Sequence, residues 1–177
     1  MCELFNFSEQ LSIDPSRANM DYVAYLVGDD EKAFGEIFEL IYSAPHPINQ
    51  RAAGVIETIH RTHPDLILPY LDRILETFTN FNIDGVKRNF AKIFTRTEFS
   101  EDQKGIAINL CFDRLQQRNE SIAVRVFSMQ VLYNISQSVP EIKHELALII
   151  EEEMQIGSAA WKSRGAHLLR KIYKELK

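Results

Sequence analysis

His60 and His63 stand three residues apart toward the end of a helical stretch, a spacing that can bring two imidazoles to one metal ion. A structural zinc site takes four ligands and a catalytic one at least three, and no third ligand stands at a suitable position. The pair therefore reads as exposed histidines at a helix end, beside Pro64. His144 and His167 stand alone, with no serine or cysteine near them in a nucleophile setting. Cys2 and Cys111 form neither a disulfide framework nor a metal-ligand spacing. Cys111 falls in the apolar face of Ile108-Asn109-Leu110-Cys111-Phe112, where a small core residue belongs. No glycine-rich phosphate loop occurs. These residue types point to no reaction, so no catalytic residue, no cofactor and no metal are expected.

A second set of residues could recognise rather than react. Arg51, Arg88 and Arg125 recur at 37 residues, and Arg164 follows after 39. A guanidinium fork at such positions can bond carbonyls or acids of an adjoining element, or form a ladder that faces a ligand. Asp72-Arg73 and Asp113-Arg114 take similar places in two later helices and could line a groove, although exposed pairs of this kind are more often solvated. Trp161, the single tryptophan, serves either packing or a binding hot spot, with packing favoured. Arg51, Arg88, Arg125, Arg164, Asp72, Asp113 and Trp161 are thus the candidate partner-binding residues.

The elements that must carry these residues are written in a repeat. The apolar doublet Val55-Ile56 with Ile59 returns as Ile93-Phe94, as Val131-Leu132 with Ile135, and as Leu168-Leu169 with Ile172, at a spacing near 38 residues. A period of this length in helical spacing marks helix pairs that bury their apolar faces against their neighbours. The sequence predicts an all-α fold, a short α-solenoid of about four helical hairpins and a closing C-terminal helix, in one domain spanning residues 1–177.

Residues 1–18 show no clear period and read as a leader, with Asp14-Pro15-Ser16 as a turn or helix start. Residues 19–44 form an atypical first repeat: Met20, Val23, Ala24 and Val27 mark one face, Gly28-Asp29-Asp30 breaks and re-caps, and Phe34, Ile37, Phe38 and Ile41 mark the next. Repeats follow at 45–80, 81–118 and 119–156, with the closing helix at 157–177. In the first, Pro64-Asp65 opens a second helix through Ile67, Leu71, Ile74, Leu75 and Phe78. The next has Ser100-Glu101-Asp102-Gln103 in the form of a capping box ahead of Ile106, Leu110, Cys111 and Leu115. In the third, Asn119 or Ser121 caps a helix through Val124, Phe127, Val131, Leu132 and Ile135.

Composition agrees with a globular helical chain: 45% hydrophobic and 25% charged residues, with only 7 glycines and 6 prolines in 177 residues to break helices. No apolar run approaches the roughly 20 residues that span a bilayer, and Met1-Cys2-Glu3-Leu4-Phe5 lacks the features of a secretory signal, so a cytoplasmic protein without membrane contact is expected. The net charge is −5, but residues 1–88 hold 7 basic against 14 acidic side chains, while residues 89–177 hold 13 against 11. The basic closing stretch, with Lys162, Arg170, Lys171, Lys174 and Lys177 beside Arg164, is the ordinary complement of a helix C-terminus. Glu151-Glu152-Glu153 is a solvated acidic end.

Gln50-Arg51-Ala52-Ala53-Gly54-Val55-Ile56 followed by His63-Pro64-Asp65-Leu66-Ile67-Leu68-Pro69-Tyr70-Leu71 resembles a HEAT-type unit, with an arginine-led first helix and a proline-opened second. Arg125-Val126-Phe127-Ser128-Met129-Gln130-Val131-Leu132, Pro140-Glu141-Ile142 and the stretch from Ser158 to Ile172 are similar to a family of small bacterial HEAT-like proteins of uncharacterised role, over about residues 45 to 175. Members of that family often carry the name adenylosuccinate lyase. True lyases of that superfamily are much longer and hold a Ser-Ser-x-Met-Pro-x-Lys-x-Asn loop, which this sequence lacks. The resemblance implies one of two functions: a non-catalytic scaffold that binds a protein partner, or a nucleic-acid enzyme similar to the HEAT-like DNA glycosylases. Gripping a duplex takes a stripe of lysine and arginine, and an acidic chain with an acidic first half argues for the scaffold.

Overall fold

The structure, a computed structural model, describes residues 5–177. Cys2 lies outside them. All regular elements among the described residues are helical. They fall into two compact units, one ending at Ile93 and the other running from Phe94 to Lys177. The division falls within the repeat expected at 81–118.

The first unit holds α1 (Phe7–Ile13), α2 (Arg17–Val27), α3 (Glu31–Ser43), α4 (Ile48–Ile59), α5 (Leu71–Thr77) and all but the last residue of α6 (Asp84–Phe94). Helix limits here are set by local chemistry. Ser16 Oγ accepts from Asn19 N to open α2, and Gly28, at φ 54°, closes it in a conformation that costs other residues a steric penalty. Asp30 Oδ1 then accepts from Lys32 N and Ala33 N to open α3. α4 packs against both α2 and α3 and is buried through an unbroken run from Ala52 to Glu57, as a helix with neighbours on most sides must be.

The second unit holds α7 (Glu101–Gln116), α8 (Ile122–Ile135), α9 (Lys143–Glu152) and α10 (Ala159–Glu175). α7 begins with the expected capping box, Ser100 Oγ accepting from Gln103 N and Gln103 Oε1 accepting from Ser100 N. Ser121 caps α8 and Ser158 caps α10. α8 is the centre of this unit, packed against α7, α9 and α10.

Several expectations are corrected. The leader contains α1, capped by Asn6 accepting from Glu9 N; seven residues that bury only Leu11 leave no period to read. The segment opened by Pro64 is a 310 stretch, Pro64–Tyr70, before α5 begins. Pro69 has no N–H to give to an α-helical ladder, and the tighter winding follows. His60, expected to be exposed, is buried, while His63 is half-buried. Ile106, placed on the apolar face of α7, is exposed; Ala107, Leu110, Cys111 and Leu115 carry that face instead.

Candidate partner-binding site

Three members of the arginine column reach back to an earlier helix, and two of them do so in one way. Arg51 Nη1 donates to Leu11 O at 2.6 Å and to Ser12 O at 3.4 Å, in the last turn of α1. Arg125 Nε donates to Leu115 O at 2.9 Å, in the last turn of α7. The final carbonyls of a helix have no partner within it and carry its negative dipole end, so a guanidinium satisfies both needs. Arg164 Nη1 donates instead to Gln130 Oε1 of α8 at 2.7 Å, and Arg88 is exposed on α6. Asp72 on α5 and Asp113 on α7 are exposed.

Two of the seven candidates meet. Arg125 is buried, and its guanidinium carbon lies 4.5 Å from the centre of the Trp161 ring. Its Nη2 donates to Glu153 Oε2 at 2.6 Å, while the exposed Arg118 approaches Glu153 Oε1 at 3.5 Å. Trp161 is buried too, with Nε1 directed at Ile150 O at 3.4 Å and its backbone N held by Ser158 Oγ. Gly157 sits against both: a Cβ there would lie 2.7 Å from Glu153 O and 2.8 Å from Trp161 Cδ1. An aromatic plate, a stacked guanidinium and a half-buried carboxylate thus brace one another between α8, α9 and α10.

This braced group forms the floor and wall of a cavity of about 240 Å3. Ile122, 52% exposed, and Ile156, 68% exposed, stand on its rim with Arg118. Ile122 is the first residue of α8, off the stripe that α8 buries, and Ile156 lies in the turn before Gly157, so neither belongs to a helix-packing pattern. Neither was singled out in the sequence; the available signal was that both isoleucines fall outside the apolar period.

Other chemistry-bearing side chains have structural surroundings. Burial pushes the Cys111 thiol up to about 12, against a hydrogen bond from Ser128 that acts the other way, so the thiolate form is disfavoured. Glu57, buried on α4, receives both Nε and Nη2 of Arg61, at 3.1 and 2.6 Å, and pairs with Lys92 of α6 at 3.0 Å. Among the described residues no three His, Cys, Asp or Glu side chains come together as a metal site would require. A larger cavity of about 500 Å3 lies beside Phe94, Phe99, Val131 and Ile135, and part of its polar wall is engaged: Asn134 Nδ2 donates to Thr95 O, Ser138 Oγ to Ile135 O, and Lys104 pairs with Glu101. No helix among the described residues is long and apolar enough to cross a membrane.

Helical hairpins in sequence repeat, joined by arginines that close the end of an earlier helix, define an α-helical repeat protein. The HEAT repeat domain family matches residues 7–172, nearly the whole chain, and the chain belongs to that family. Among curated proteins and among solved structures nothing matches, and the comparisons give no support to the adenylosuccinate lyase name.

Proposed function

We propose that this HEAT repeat chain is a non-catalytic scaffold that binds a protein partner in the cytoplasm, with the α8–α10 cavity as its docking point. The observation that carries the reading is the pair of exposed isoleucines, Ile122 and Ile156, standing over a cavity floored by Trp161. Apolar side chains left in water around a concave floor are the usual make-up of an interface core, and a rigid floor lowers the ordering cost of binding. The cavity accepts one apolar anchor residue of a partner, and Arg118 at its edge suits an acidic neighbour of that anchor. Affinity capture on the wild-type chain and on an Ile122→Asp/Ile156→Asp variant tests this. A partner retained by the wild type and lost by the equally folded variant is expected; equal capture by both would contradict it.

A further inference from the structure

α2 buries one face, through Asn19, Val23, Ala24 and Val27, and leaves a second apolar strip outside. Ala18, Tyr22, Tyr25 and Leu26 fall within about 100° of one another on a helix of 3.6 residues per turn. Tyr22, Tyr25 and Leu26 are 48%, 81% and 40% exposed, so the fold gains little from them. Single apolar residues in water are ordinary, whereas a tyrosine-rich strip along one helix has the composition of a recognition surface.

The chemistry at the end of the strip identifies what it fits. Asp29, Asp30 and Glu31 lie just beyond the Gly28 cap of α2 and are all exposed, Asp30 as the N-cap and Glu31 as the first residue of α3. Asp30 Oδ1 is engaged with Lys32 N and Ala33 N, yet its charge remains. The side chains of Asp29 and Glu31 form no hydrogen bond or ion pair among the described residues. On the strip's flank, Asp21 is paired with Arg17 at 2.8 Å, so the acidic side chains that have no paired cation stand at the other end. Residues 1–88 as a whole are acidic, which attracts a cationic partner before contact.

We propose that the outer face of α2 docks a basic amphipathic helix of a partner protein. Its apolar side lies along Tyr22, Tyr25 and Leu26, and its lysines or arginines meet Asp29, Asp30, Glu31 and the tyrosine ring faces. This surface is independent of the α8–α10 cavity.

The test is fluorescence anisotropy on the full chain with three labelled synthetic peptides: an amphipathic leucine/lysine helix, a permuted peptide of identical composition whose leucines do not share a face, and a leucine/glutamate counterpart. The first is expected to bind about tenfold or more tightly than either of the others, and to weaken as salt rises. Tyr25→Asp, a fully surface change that leaves the circular dichroism and melting curve intact, is expected to weaken it by a similar factor, and Asp29→Lys/Glu31→Lys to do so without touching the apolar strip. Equal binding of the permuted or glutamate peptide, or an affinity unmoved by these substitutions, would overturn the proposal. Concentration-dependent self-association of the wild type that Tyr25→Asp abolishes would also overturn it, since the occupant would then be a second copy of this chain.

Discussion

The guanidinium of Arg125 stacks on the ring of Trp161 while its own Nη2 holds Glu153 at 2.6 Å, so one side chain of α8 fixes a residue of α10 and the end of α9. Removing it leaves Glu153 half-buried without its main partner and Leu115 O without its donor. Arg125→Ala is expected to lower unfolding free energy by about 3 kcal/mol, the usual cost of breaking a buried pair. Arg125→Lys is expected to recover only part of this, because an ammonium cannot stack and fork at once. Urea unfolding of the three chains measures both.

Gly157 permits the same corner to close. An alanine there places Cβ against Glu153 O, a backbone atom that cannot swing away. Gly157→Ala is expected to cost about 1–3 kcal/mol and to shift Trp161 fluorescence, since the ring edge is the other atom met. A variant as stable as wild type, with unchanged emission, would show that the approach is looser than described.

Glu175 ties the last turn of α10 to α8 and α9. Lys143 first and Tyr133 second, followed by Gln137, hold its carboxyl down at about 2 from the usual 4.5. Burial, then Glu175 itself, raises the Tyr133 hydroxyl to about 12. A depressed carboxyl adds stability above its unfolded value and loses it as pH falls through the folded one. The gap between wild type and Glu175→Gln, about 1 kcal/mol after discounting for solvent exposure, is expected to be full at pH 7 and to close between pH 4.5 and 2. Thermal melts across that range check it.

Local signals explain how much of this was legible in advance. Gly28 with Asp30, and Ser100 with Gln103, act over two to four residues, so they specify helix ends directly from the sequence. The apolar doublets recur because each hairpin needs the same buried face. Two features resist such reading. Leu11 alone cannot advertise α1, and Pro69 converts an apparent helix into a 310 stretch by removing one donor. The candidate site is legible only in part: Arg125 and Trp161 could be named, but their meeting depends on α10 packing against α8. Ile122 and Ile156 join them only through the fold.

A scaffold should not turn over substrate. Purified protein is expected to give no conversion of adenylosuccinate, measured by ultraviolet absorbance; turnover above a no-protein control would contradict the absence of a lyase loop as a guide to function.

Photo-crosslinking inside the native cell tests the central claim most directly, with the reactive residue placed at Ile156 and, as a control, at exposed Gln116 of α7. One discrete protein adduct from position 156, absent from position 116 and lost when Ile122→Asp is added, is the expected result. Adducts from 116 with none from 156 would contradict it.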